Sequence, residues 1–190
     1  MAIFRVFFFL FLLLGSCLGS NALAQHIEQL FDENSPLDLS DSLFYLFETD
    51  YQLTISDVSR RRNDFLMHPH HNPNFGFRNN GMWLLTRVAN VSNEKNWVFS
   101  INFSQLDNVD FYLVQNGKVL AQSHQGKAQK EQRFRVPTFR AELQSSEPVD
   151  LYVRIESQSS SLIAPLRIQA EPIHDLSYQV DSLLWGLFYG

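Results

Sequence analysis

Trp97-Val98-Phe99-Ser100-Ile101-Asn102-Phe103, followed by Val109-Asp110-Phe111-Tyr112-Leu113 and then Val114-Gln115-Asn116-Gly117-Lys118-Val119, decides the fold of this chain. Apolar side chains recur at every second position, Trp97, Phe99, Ile101 and Phe103 in the first run and Val109, Phe111 and Leu113 in the second. A two-residue period places one set on each face of a strand. Asn116-Gly117 suits a tight hairpin, because both residues tolerate the positive φ that a type I′ turn requires. The stretch from Trp97 to Ser123 therefore reads as three consecutive strands forming a meander with one apolar and one polar face. Such a meander is not stable alone in water, so a second sheet must cover its aromatic side.

The rest of the chain supplies strands at close spacing. Ser42 to Phe47 is apolar on both sides, as in a strand buried between layers, and Gln52 to Ile55 reads as another short strand. Met82 to Val91, then Phe139-Arg140-Ala141-Glu142-Leu143, then Val149 to Ile155, then Leu162 to Ala170 follow, with Gln125 to Arg135 as a polar loop or exposed edge. No long helical period separates them. About eight or nine short strands in this arrangement predict an all-β antiparallel β-sandwich or jelly roll rather than a parallel sheet.

The composition agrees with one domain and a full core: 190 residues, 45% hydrophobic and 14% aromatic. The formal charge is −5, and Arg60-Arg61-Arg62 is the one basic run. Nucleic acid is therefore not expected as a partner, because phosphate binding needs a clustered positive surface. The triple Arg reads as a solvated loop or the start of a short helical turn through Asn63 to Met67. Cys17 is the single cysteine and falls in a segment expected to be removed, which excludes thiol catalysis and thiolate zinc sites from the mature protein.

Residues 1–24 have the three parts of a secretory signal: Arg5 in a short head, the apolar run Val6 to Leu14, and Ala22-Leu23-Ala24 before Gln25. Leu14-Gly15-Ser16-Cys17 is a loose alternative, a lipoprotein site. Residues 25–41 read as a polar linker with a helical turn around Ile27 to Phe31, and 42–172 as the sandwich. After Asp181 the chain carries no charge, and Leu183-Leu184-Trp185-Gly186-Leu187-Phe188-Tyr189 has the apolar and interfacial residues of a membrane helix. This run is too short to cross a bilayer, which takes about 20 residues. Residues 173–190 are thus expected to be a juxtamembrane segment and the start of a transmembrane helix, with an amphipathic tail folded back on the domain as the alternative.

Several segments, in order, resemble one family. Asn74-Phe75-Gly76-Phe77-Arg78-Asn79 with Met82-Trp83-Leu84 is similar to its sandwich-opening motif, and Leu106 to Leu113 resembles its "LD-VDLYL" strand. Leu151-Tyr152-Val153-Arg154-Ile155 is similar to its "LYLRV" strand, and Leu184 to Gly190 to the "GLYYG" that opens its first membrane helix. The family is the bacterial seven-transmembrane receptors with diverse intracellular signalling modules, specifically their extracellular domain of the second type. The resemblance covers Phe47 to Gly190. It implies a periplasmic jelly-roll sensor similar to carbohydrate-binding modules, followed by seven helices and an output such as a diguanylate cyclase or histidine kinase. It supplies no ligand and no catalytic residues.

The candidate ligand site is the polar face of the sandwich. Tyr112 and Tyr152 stand beside Asp110 and Asp150, with Arg154 and Arg140 available. Flat rings beside carboxylates and guanidinium groups suit a sugar or another small molecule, the ring stacking on C–H faces while charged groups take hydroxyls. The competing reading of the same residues is a solvated outer face with cross-strand pairs. Trp83 and Trp97 fall on apolar sets and are expected in the core. His68, His70 and His71 could chelate a cation, but Pro69 restrains them and no second cluster completes a shell, so no metal and no cofactor are assigned. Phe65 to Gly81 reads as a functional loop rather than a connector. No nucleophile elbow or phosphate loop is present, and Asp107 with Asp110 reads as turn-forming, so the domain is not expected to be an enzyme. The expected function is periplasmic ligand sensing on the outer side of the bacterial inner membrane, with the membrane as partner through the C-terminal segment. A secreted carbohydrate-binding or adhesion module is the alternative.

Overall fold

The computed structural model describes residues 26–49, 53–69, 71–129, 135–144 and 147–189. Two sheets face each other. The larger contains β1 (Ile27–Leu30), β3 (Phe44–Phe47), β4 (Leu66–Met67), β5 (Met82–Asn90), β7 (Asn108–Gln115), β8 (Lys118–Gln125) and β10 (Val149–Glu156). Its order is β4-β3-β5-β10-β7-β8, and β1 lies parallel to β5. The smaller contains β2 (Leu37–Asp38), β6 (Asn96–Ile101), β9 (Thr138–Glu142) and β11 (Leu166–Ala170), in the order β2-β11-β6-β9. This is the expected all-β sandwich.

The alternation read from the sequence builds the core. Trp97, Phe99 and Ile101 point inward from the smaller sheet, and Val109, Phe111 and Leu113 meet them from the larger. The Phe139 ring is stacked near both Phe99 and Phe111, at centroid distances of 6.1 and 5.5 Å. The hairpin forms as expected: Asn116 and Gly117 take φ of 51° and 76°, and Gln115 pairs with Lys118.

Three expectations are corrected. The stretch from Trp97 to Ser123 is not one meander: β6 pairs with β11 and β9, whereas β7 pairs with β10 and β8. Residues 102–107 carry the chain between layers, with Leu106 fully buried in the core. Alternation fixes which side of a strand is apolar but not which sheet holds the strand. Ile27–Leu30, read as a helical turn in a linker, is a strand, and β2 also joins a sheet, so much of 25–41 belongs to the sandwich. Leu30 is buried, which anchors this segment. No strand forms over Gln52 to Ile55 as expected: Leu53 and Thr54 lead into helix α1 (Ile55–Arg60), and Gln52 itself lies outside the described residues. Its start is a capping box, with the Thr54 side chain accepting from the Asp57 amide while the Asp57 carboxylate accepts from the Thr54 amide. The described chain closes with one long helix, α2 (Glu171–Tyr189), over the segment expected to be juxtamembrane, and its first turns rest on the smaller sheet.

Among the described residues no helix is long and apolar enough to cross a membrane. The expected secretory signal, Cys17 and the expected cleavage site lie outside the described residues, as does His70.

Candidate functional site

The outer face of the larger sheet is not a uniform solvated surface. Residues 53–67 fold across part of it, and Val58 of α1 and Phe65 close a second apolar cluster over Phe44, Trp83, Leu85, Val114 and Tyr152. Ser42 to Phe47 is apolar on both sides for this reason: Leu43 enters the inter-sheet core and Phe44 the outer cluster. The six candidate residues divide accordingly.

Tyr152 is 2% exposed and meets the Phe65 ring edge-on, at 6.0 Å. Burial, reinforced by the nearby Asp150 charge, pushes its phenol above the ordinary value, with Arg62 and Ser59 opposing. Asp150 is also covered. It accepts two hydrogen bonds from Arg62, the longer 2.9 Å, and Arg87 approaches it at 3.3 Å from the adjacent strand. These two residues hold the cover down. Arg140 belongs to β9 of the other sheet, where it pairs with Glu171 and, at 2.6 Å, with Asp175 of α2. It lies on the opposite side of the sandwich from the tyrosines.

Asp110, Tyr112 and Arg154 stay together. They line a cleft of about 770 Å³ beside the start of α1, with Trp83, Gln122, His124 and Glu156. Strand register brings them there: Tyr112 pairs with Tyr152 and Gln122, Arg154 with Asp110 and Trp83, and Asp110 with His124. Tyr112 presents a half-exposed ring backed by the indole of Trp83 at 5.7 Å. Burial raises the Tyr112 phenol, the Asp110 charge adds to the effect and Arg154 opposes it, so the group is a neutral donor at physiological pH. His124 Nδ1 lies 2.7 Å from the Asp110 carboxylate.

Beneath this cleft lies a buried charge pair. Glu48, whose side chain is fully buried, accepts from Arg154 Nε and Nη2 at 2.8 Å each and from Trp83 Nε1 at 2.7 Å. Arg154 also donates to Glu156 at 3.1 Å, and these hydrogen bonds, Glu48 first, raise its pKa. The guanidinium is thus locked in place, the rigidity a binding site needs. Gly81 makes room for the pair: a Cβ there would stand 2.6 Å from Glu48 Oε2 and 2.7 Å from Arg154 Nη2.

Sequence reasoning missed Glu48, Gln122, His124 and Glu156, and assigned Trp83 to the core alone. Trp83 is buried, but on the outer side of the sheet. A carboxylate directly after a strand apolar on both faces was the available signal for Glu48. Nothing in the local sequence marks His124, because only the β7–β8 register sets it opposite Asp110.

The remaining candidates have structural roles. His68 is buried and its ring meets Phe75 at 4.8 Å, while His71 pairs with Asp41. Burial alone would raise the Asp107 carboxyl, but the Gln158 amide, Lys127 and Ser157 outweigh it and hold it below its ordinary value. Asp107 therefore fastens the turn after β10. The loop containing Asn74 and Phe75 is pinned to residues 162–164 by main-chain bonds from Phe75 to Leu162 and from Ala164 to Pro73.

Residues 40–170 match the family described as 7TMR-DISM extracellular 2. No curated protein matches the chain. Among solved structures, a GH31 alpha-xylosidase from Xanthomonas citri is 12% identical over 73% of this chain, with a TM-score of 0.31. The match spans 16% of the xylosidase's length.

Proposed function

Because this chain belongs to the 7TMR-DISM extracellular 2 family, we propose that its sandwich is the periplasmic sensing domain of a bacterial membrane receptor, and that its ligand sits in the cleft at Tyr112. The ligand is a carbohydrate or another small polyhydroxylated molecule. The observation that carries this reading is the pairing of an accessible aromatic face with a charged rim held rigid from below. Tyr112, backed by Trp83, offers a surface for C–H stacking, while Asp110, Arg154, Glu156 and His124 offer fixed partners for hydroxyls. Tyr152 and Asp150 serve this site indirectly, by holding the cover that forms one wall.

In this reading residues 1–24 direct export, 42–172 are the jelly-roll module similar to carbohydrate-binding modules, and β1 extends the module back to Ile27. Residues 173–190 are the juxtamembrane segment and the start of a first membrane helix, and a diguanylate cyclase or histidine kinase stands on the far side of the membrane. The role assigned to the domain is recognition rather than catalysis. A ligand signals only if it binds two arrangements of the domain unequally.

The test is calorimetric binding of neutral mono- and oligosaccharides and small metabolites to the 190-residue chain. Hits are expected to weaken about fivefold or more in Tyr112→Ala, since loss of a stacking ring costs on the order of 1 kcal/mol. Hits that bind Tyr112→Ala unchanged would remove the cleft from consideration.

A further inference from the structure

We propose that helix α2 pairs in parallel with the α2 helix of a second copy of this chain. Ile173, Leu176, Val180, Leu183 and Leu187 follow one another alternately three and four residues apart, the heptad spacing of a coiled-coil seam. Ile173 packs against the sandwich core, and from there the stripe runs on uncovered: Leu176 is 58% exposed, Val180 47%, Leu183 68% and Leu187 81%.

The stripe faces away from the domain. His174, Tyr178, Asp181 and Ser182 line the cleft between α2 and the smaller sheet. At about 3.6 residues per turn they lie roughly half a turn around the helix from Leu176, Val180 and Leu183. Arg140 sets this rotation by holding Glu171 and Asp175 against the sheet, so the fold itself turns the seam outward.

Charge and side-chain shape select the occupant. The chain carries −5, so self-association favours a contact free of charge. The seam and its flanks, Ser177, Gln179, Leu184 and Gly186, bear none, while Glu171, Asp175 and Asp181 stand on the side toward the sheet. A lipid surface fits less well, because a helix lying on one is rich in Lys and Arg on its polar face, and α2 has neither. β-Branched Ile173 and Val180 alternate with Leu176 and Leu183, the combination that favours two parallel strands. The pairing needs neither the Tyr112 cleft nor a membrane segment. It sets both sandwiches at the same end of a shared helix pair.

The experiment is sedimentation equilibrium of the full chain over a range of concentrations, joined to disulfide trapping. A monomer–dimer equilibrium is expected, weakened at least about tenfold in Val180→Glu, which places an unpaired charge in the seam. Phe188→Glu, an exposed apolar position off the stripe, should leave it within about threefold. In a Cys17→Ser background, Leu176→Cys should form a disulfide-linked dimer on mild oxidation and Ser182→Cys should not, because parallel seam positions meet their own copies. A chain that stays monomeric, equal loss in Val180→Glu and Phe188→Glu, or equal trapping at positions 176 and 182 overturns the pairing. A monomer that instead floats with phosphatidylcholine vesicles, and is released by Val180→Glu, assigns the stripe to lipid and equally overturns it.

Discussion

The two outer faces of this sandwich began with the same pattern, polar residues alternating with the core set, and were finished differently. On the larger sheet, residues 53–67 close over Tyr152 and Asp150 and leave a cleft at Tyr112 whose guanidinium is clamped by Glu48. On the smaller sheet α2 stands over a cleft lined by Ser100, Thr138 and Gln169, and its first turn is held by Arg140. One face is a rigid platform with a buried ion pair; the other is a joint held by surface charge. The difference teaches that a strand's polar side becomes a binding surface only through what the connecting segments lay over it.

Breaking the platform has the largest expected effect. Glu48→Ala leaves Arg154 half-buried without its bidentate partner and Trp83 Nε1 without an acceptor, which costs about 3–5 kcal/mol. Urea unfolding followed by Trp fluorescence measures it. A loss under about 1 kcal/mol, the range of exposed pairs, would show that water reaches the pair and that the platform is not closed.

Breaking the joint has a smaller effect on stability and a local one on motion. Arg140→Ala is expected to cost less than about 1 kcal/mol, because its partners are partly exposed. Amide exchange over Ile173 to Tyr178 should nevertheless rise while that of β5 and β10 stays unchanged. The Arg140 hydrogen bonds, helped by His174, hold the Asp175 carboxyl below its ordinary 3.8. A depressed carboxylate pKa stabilises the fold above the ordinary value, and the contribution fades as pH falls through the depressed one. The tether should therefore be intact above about pH 4 and open in stronger acid. In Arg140→Ala the exchange of α2 should lose that acid dependence.

The sequence carried the sandwich because alternation is a physical requirement of a half-buried strand: the inward set recurs at every second position in Trp97 to Ile101, Val109 to Leu113 and Val149 to Ile155, although Val98 and Tyr152 between them are buried too. What it could not carry is adjacency. The β6–β7 connection looks like a hairpin link in one dimension, yet the two strands lie in opposite sheets. Arg140 and Arg154 look equivalent beside an alternating core set, and sit on opposite outer faces. Coverage was equally hidden: Tyr152 and Tyr112 occupy matching positions, paired across β10 and β7, but α1 buries the first and leaves the second open. Helix α1 has six residues, too few for a helical period to declare itself. Its capping box, Thr54-Ile55-Ser56-Asp57, was the readable signal. Of the candidate site, Asp110, Tyr112 and Arg154 were legible as residues facing outward; the cleft they share with His124 required the register.

The central claim is that recognition takes place over Tyr112 and Trp83 on the larger sheet. Two indole N–H groups report on it directly: Trp83 Nε1 donates to Glu48 under the cleft, and Trp97 Nε1 donates to the Glu94 carbonyl at the far side of the core. In a proton–nitrogen correlation spectrum of the full chain titrated with a sugar that binds, the Trp83 indole resonance should move with ligand concentration while that of Trp97 stays fixed. A Trp83 resonance that stays in place at saturation, with shifts elsewhere in the domain, would contradict the account.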